Sequence, residues 1–161
     1  MTDPTTKRDL AITRVLDADL PELLPLLRAY CDFYQVTPSG SALEALARAL
    51  LTDPQREGMQ LLARDGGGRP LGFATLYWTW QTLSAGRVGV MNDLYVAPEA
   101  RGAGVAGALV DACLERCREH GATALIWQTA RDNTRAQALY DRIGATRDDR
   151  WLDYSLPVDP A

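Results

Sequence analysis

The stretch Val90-Met-Asn-Asp93-Leu-Tyr-Val96-Ala-Pro98-Glu-Ala-Arg101-Gly102-Ala-Gly104-Val-Ala-Gly107 decides how this chain folds. Its first half, from Val88 to Val96, carries β-branched and aromatic residues with apolar positions alternating, and reads as a strand. Pro98 closes it, because a proline nitrogen has no hydrogen to give to a sheet ladder. The glycine-rich run from Arg101 to Gly107 then leads without a break into a helical pattern, with Ala106, Leu109, Val110, Cys113 and Cys117 on one side. A strand therefore feeds a bare loop that opens a helix. With no side chains in the way, several amide N–H groups can converge beside the positive end of the helix dipole, which is what holding a phosphate or pyrophosphate requires.

The residues alone leave more than one reading of this loop. Gly102-x-Gly104-x-x-Gly107 has the spacing of a dinucleotide fingerprint, but that fingerprint needs an acidic residue about 20 positions on, where this chain reads Ala122-Thr-Ala-Leu-Ile-Trp-Gln128. A phosphate-binding P-loop needs Gly-Lys-Ser/Thr, which does not follow. A turn that merely packs a helix on a strand is the plain structural alternative.

Two segments go further. Arg101-x-x-Gly104-x-Ala106 resembles the Arg/Gln-x-x-Gly-x-Gly/Ala signature of the GNAT N-acetyltransferase superfamily. Downstream, Asn133-Thr-Arg-Ala136-Gln-Ala-Leu139-Tyr140-Asp-Arg-Ile-Gly144 resembles the same superfamily's Asn-x-x-Ala-x-x-Leu-Tyr-x-x-x-Gly segment, in the same order. The resemblance spans about Leu10 to Leu156 and is nearest to small-amine enzymes, such as the diamine acetyltransferases, around Asn92–Val96.

At 161 residues, 47% apolar and 24% charged, the chain fits one globular domain, taken as residues 9–157 behind a flexible tail at 1–8. A net charge of −4 argues against a general nucleic-acid binder and weakly favours a cationic small molecule. Cys31, Cys113 and Cys117 lack metal-ligand spacing, and a single histidine, His120, excludes a His-based metal site, so no metal is expected. Reduced thiols, a polar amino terminus and no long apolar run lead us to expect a cytoplasmic protein without a membrane span.

In chain order, Leu10–Leu16 reads as a strand, and Asp19 with Pro21 and Glu22 as a helix start followed by Leu23, Leu27, Cys31 and Tyr34. A second helix runs from Ser41 to Leu51. Met59–Arg64 and Leu71–Gln81 form a hairpin across the turn Asp65–Gly68, and the chain reverses near Leu83–Gly86 into the strand quoted above. After a stop at Gly121 come a buried strand at Thr123–Thr129, a helix at about Asn133–Ile143, and a closing hairpin from Ala145–Arg147 and Trp151–Leu156. The expected class is mixed α/β, a central, mostly antiparallel sheet with flanking helices. It matches the GNAT acyl-CoA N-acyltransferase fold, in which the strand holding Val96 and the strand holding Trp127 splay apart.

Acetyl transfer to an amine needs a held thioester, a deprotonated nucleophile, a stabilised oxyanion and a proton for the departing thiolate. The resemblance implies acetyl coenzyme A as co-substrate. Its pyrophosphate would lie on backbone amides of Arg101, Gly102, Ala103, Gly104, Val105, Ala106 and Gly107, and its pantetheine would pair with the main chain of Leu94, Tyr95 and Val96 like an added strand. Asn133, Ala136 and Tyr140 stand at i, i+3 and i+7, on one helical face, with the first two on the cofactor side. Tyr140 is the expected general acid, because a phenol pKa of about 10 lies not far above a thiol's of about 8.5. Periodicity alone reads Tyr140 as part of a core stripe with Leu139 and Ile143; the motif turns the reading toward catalysis.

Asp93 is the candidate base. Diamine acetyltransferases carry Glu-Asp where this chain has Asn92-Asp93, so the first carboxylate's role does not carry over. Alternation puts Asn92 and Asp93 on opposite faces, and a bulge would change the phase. An Asp93 turned from the cleft would serve backbone amides instead. The acceptor pocket is expected from Tyr30, Phe33, Tyr34 and Asn92, the strand with Trp78 and Trp80, and the final strand Trp151-Leu-Asp153-Tyr154, because aromatic faces attract ammonium groups. Each aromatic has a core or interface role as its alternative. The leading reading is direct N-acetylation of a small cationic amine. Beside it stand a protein lysine or amino-terminal acetyltransferase and a non-catalytic acyl-CoA-binding module. The resemblance admits a homodimer, as many relatives pair.

Overall fold

The computed structural model describes residues 9–158, so the tail expected at residues 1–8 lies outside the described residues. These fall into two compact units divided between Gln128 and Thr129.

The first unit holds β1 (Ala11–Arg14), α1 (Leu20–Phe33), α2 (Gly40–Thr52), β2 (Gly58–Arg64), β3 (Pro70–Gln81), β4 (Gly86–Val96), α3 (Val105–His120) and β5 (Leu125–Ile126). The strands make one sheet in the order β1-β2-β3-β4-β5, antiparallel except for the parallel β4–β5 pair, which is the mixed α/β architecture expected. Short turns join β2 to β3 and β3 to β4, α1 and α2 lie between β1 and β2, and the parallel β4–β5 step is crossed by α3.

Local chemistry sets the helix ends. Ser39, two residues before the expected Ser41, caps α2 by accepting from the Ala42 amide at 3.1 Å. Asp19 does not cap α1; its carboxylate accepts instead from the Leu16 amide at 2.8 Å and from Arg64 at 2.7 Å. Gly121, at φ 73°, stops α3 in the left-handed conformation.

The two faces of the sheet follow from period-2 alternation. On one, the paired residues Leu62, Phe73 and Tyr95 meet Val15, Leu20, Leu23, Leu26, Leu27 and Ala47 in a buried cluster under α1 and α2. On the other, Leu76, Trp78 and Gly89 face α3. A Cβ at Gly89 would collide with the Cys117 sulfur, so the missing side chain sets how near α3 lies to β4. The Trp78 ring stacks on His120 with centroids 3.9 Å apart, and its Nε1 donates to the Pro54 carbonyl at 2.9 Å.

One irregularity controls the site. Thr75 pairs with Asp93 but Leu76 pairs with Met91, so Asn92 is an extra residue, a bulge. Without it Asp93 would share the α3 face with Gly89 and Met91. With it Asp93 and Tyr95 turn to the α1 face.

Two expectations need correction. The strand expected over Thr123–Thr129 is only Leu125–Ile126, because it pairs with β4 at Gly89 and Val90 alone and the chains then part. In the second unit, α4 (Thr134–Arg142) forms, but the closing hairpin does not. Alternation gives a chain two faces without giving it a partner, and an isolated hairpin is marginal in water. Trp151, Tyr154 and Leu156 are 63%, 91% and 91% exposed, and Arg150 bonds back to Asp148 through its amide at 3.0 Å and its Nε at 2.9 Å.

Candidate active site

Between β4 and α3 the chain makes a short 3-10 turn at Pro98–Ala100, and the Arg101 amide closes it on the Pro98 carbonyl at 3.3 Å. That amide is therefore engaged, and the Arg101 side chain folds back to give its Nε to the Val96 carbonyl at 3.1 Å, tying loop to strand. The remaining loop is bare. Gly102 and Gly104 sit at φ 79° and 81°, and nothing lies within 4 Å of a Cβ built on either. The first intrahelical bond of α3 runs from Ala108 to Gly104 at 3.1 Å, so the amides of Val105, Ala106 and Gly107 precede it, with no side chain capping them. Such a helix start presents N–H groups and positive potential to open space.

The loop continues a strand edge. Since β5 pairs only with Gly89 and Val90, the segment from Met91 to Val96, which includes Leu94, Tyr95 and Val96, has no strand on that side among the described residues. This opening of two adjacent strands is the expected splay.

Across the sheet from α3, the end of α1 meets β4. The Tyr30 ring makes edge contacts with Tyr34, Phe73 and Tyr95 at centroid distances of 5.1, 5.8 and 6.2 Å, and Phe33 sits 5.0 Å from Tyr34. Phe33 and Tyr34 are 53% and 42% exposed and form the outer rim. Inside it, Asp93 accepts from Asn92 Nδ2 at 3.0 Å and faces the hydroxyls of Thr75, its cross-strand partner, and Tyr30. Burial raises the Asp93 pKa above its ordinary carboxylate value, and the polar groups of Thr75, Tyr30 and Asn92 oppose the rise. Burial also pushes the Tyr30 hydroxyl up, with the charge of Asp93 adding to it, so Tyr30 stays a proton donor. The Tyr77 hydroxyl moves the same way for the same two reasons.

Tyr30, Phe33, Tyr34, Asn92 and Asp93 are thus brought together within the first unit. Trp78 and Trp80 are not. They stand two residues apart on the α3 face of β3, opposite Asp93, with the guanidinium of Arg87 5.1 Å over the Trp80 ring, so they do not wall this pocket. Thr75, Gln60 and Tyr77 were missed from the sequence. The signal was present as polar residues inside otherwise apolar strands, but which neighbour they meet depends on register.

In the second unit, Asn133 Oδ1 accepts from the Ala136 amide at 3.2 Å and so caps α4. Gln137 adds Nε2 bonds to the Ala130 and Arg131 carbonyls at 3.1 and 3.0 Å. Tyr140 is half-buried on α4, and Trp151 lies beside the Arg150 guanidinium, 5.9 Å from its ring.

The cysteines are all free and buried, and burial pushes the thiols of Cys113 and Cys117 up to about 12 and about 11. They are core residues, poor nucleophiles at neutral pH. Among the described residues no cluster of His, Cys, Asp or Glu is arranged to hold a metal ion, and no helix is long and apolar enough to cross a membrane.

A strand running into a bare loop and helix start, beside a splayed edge, is the arrangement that the resemblance to the GNAT fold led us to expect. The acetyltransferase (GNAT) family model matches residues 23–145, and the chain belongs to that family. The N-acetyltransferase YhfO of Bacillus subtilis (strain 168) is 32% identical over 147 residues, covering 91% of this chain and 97% of its own. The thialysine N-epsilon-acetyltransferase of Caenorhabditis elegans is 24% identical over 152 residues, covering 92% of each chain. The crystal structure of a probable acetyltransferase superposes with a TM-score of 0.78 at 30% identity, over 94% of this chain and 99% of that one. Membership of the family makes this chain an N-acetyltransferase by reaction class.

Proposed function

We propose that this enzyme transfers the acetyl group of acetyl coenzyme A directly to a primary amine of a small, cationic acceptor. The observation that carries the reading is the Asn92 bulge, which turns Asp93 toward the aromatic end of α1 in the same stretch of β4 whose edge is open. The diphosphate of the co-substrate fits the loop: Gly102 and Gly104 have the positive φ and the clearance that an approaching anion needs, and the amides from Gly102 to Gly107 supply donors. Acetyl coenzyme A supplies an activated acetyl thioester.

The chain's own residues do the rest. Main-chain groups of Leu94, Tyr95 and Val96 hold the pantetheine arm in strand-like pairing, and one N–H there donates to the acyl oxygen as negative charge grows on it. Tyr30, Phe33, Tyr34 and Asn92 receive the acceptor, aromatic faces drawing its ammonium toward Asp93. Asp93 takes a proton from that ammonium, directly or through water, freeing the nitrogen lone pair. Tyr140 returns a proton to the departing sulfur. Asn133 and Ala136 start α4 and, by the motif, face the co-substrate. The family domain runs through both units, since the family model spans their division. Three buried free thiols favour a reducing, cytoplasmic compartment, and the exposed Trp151, Leu152, Tyr154 and Leu156 favour a homodimer that covers them.

A thiol-release assay with a panel of polyamines, amino acids, aminoglycosides and lysine peptides tests this. Release stimulated by a small cationic amine well above the peptides is the expected result. Preference for peptides would move the assignment to a protein acetyltransferase, and acetyl coenzyme A binding without release by any amine would leave only a binding module.

A further inference from the structure

Gln60, Thr75 and Asp93 form one row across three strands. The register pairs Gln60 with Thr75 and Thr75 with Asp93, the second pairing existing only because of the Asn92 bulge. The adjacent row on the same face, Leu62, Phe73 and Tyr95, is apolar and belongs to the core. Gln60 and Thr75 are 3% and 0% exposed, so two uncharged polar side chains lie in the middle of the sheet where aliphatic ones would fill the space. Burying them is unfavourable unless each finds a partner.

Their partners point one way. Gln60 Nε2 donates to Thr75 Oγ1 at 3.2 Å. A hydroxyl has a single hydrogen, and once its oxygen accepts from Gln60 that hydrogen is left to donate toward the cross-strand partner, Asp93. Amide donor, hydroxyl relay and carboxylate acceptor thus make a row in which each group polarises the next.

We propose that Gln60 and Thr75 are positioning residues for acetyl transfer: Gln60 aims the Thr75 hydroxyl, and that hydroxyl orients Asp93 and sets how readily its carboxylate takes a proton. This rests on Asp93 being the base. The other groups facing Asp93 are Tyr30 on α1, with Tyr34 behind it, Tyr77 on β3 and Asn92 on β4, while β2 contributes only Gln60 through Thr75. None of the groups acting on Asp93 among the described residues is a lysine, an arginine or a second carboxylate, so the row is not masked by a nearby charge.

The experiment measures two things in the full chain: the titration of Asp93 by carboxyl-carbon NMR, and the pH profile of kcat/KM. Thr75→Val keeps the shape and removes the donor to the ionised form. Asp93 then titrates about one pH unit higher, and the acidic limb of the rate profile moves with it, while KM for acetyl coenzyme A stays unchanged. Thr75→Ser restores both, and Gln60→Leu shifts both in the same direction by less. If Thr75→Val does not fold, Gln60→Leu alone decides the sign. An Asp93 titration identical to wild type in the variants overturns the proposal at the row itself. A shifted titration with an unmoved rate limb overturns it by removing Asp93 as the base, so the two failures are distinct.

Discussion

Asp93→Asn lowers kcat by roughly 10²-fold or more, with acetyl coenzyme A binding left near its wild-type value. Asparagine has the same shape and keeps an oxygen for the Thr75 and Tyr30 hydroxyls, but it cannot take a proton from an ammonium. The pH dependence gives the sign. Burial raises the Asp93 pKa above 3.8, and as the proposed base Asp93 acts in its ionised form, so wild-type kcat/KM is expected to climb as pH rises through that elevated value. The variant lacks this limb. Stability runs the other way. A folded pKa above the unfolded one means the fold favours the protonated acid, so the Asp93 contribution is most favourable at low pH and is lost as pH climbs from 3.8 through the folded value. The neutral asparagine escapes that loss, and the Tm of Asp93→Asn at pH 7 should match or exceed wild type. Unchanged kcat would make Asp93 a structural residue; a fall in Tm at pH 7 would attribute the lost rate to damage of the fold.

Tyr140→Phe reduces turnover by roughly 10²-fold or more while acetyl coenzyme A binds nearly as before. Only the hydroxyl is removed, and the ring keeps its half-buried place on α4. If Tyr140 protonates the leaving sulfur, the loss falls on kcat. If it is instead a packing residue in line with Leu139 and Ile143, the variant shows wild-type turnover, with any change confined to thermal stability.

The parts of the fold that were legible in the sequence are those settled within a few residues. Alternation up to Val96, the stop at Pro98, glycines at 102 and 104 where φ is positive, and the glycine stop at 121 each rest on local backbone chemistry, and the strand, loop and helix stand where they were expected. The face presented by Asp93 was not legible, because one inserted residue, Asn92, reverses the phase of everything beyond it. The place of Trp78 and Trp80 was hidden in a similar way: alternation along β3 gives them a face, and only the register with β4 shows that this face lies opposite Asp93. Gln60 and Thr75 were visible as polar residues in buried strands, yet their meeting depends on pairing between segments 15 positions apart. Trp151–Leu156 alternates like a strand and forms none, since pattern specifies a face and leaves the partner open.

The proposed acetyl transfer depends most on the bare main chain beyond Pro98 gripping a diphosphate next to the open edge of β4. Calorimetric titration with acetyl coenzyme A, read together with amide hydrogen exchange, tests it most directly. Saturable heat with slowed exchange at Leu94–Val96 and Gly102–Gly107 is the result the account requires. A titration without heat, or heat with exchange across residues 94–107 unaltered, would contradict it.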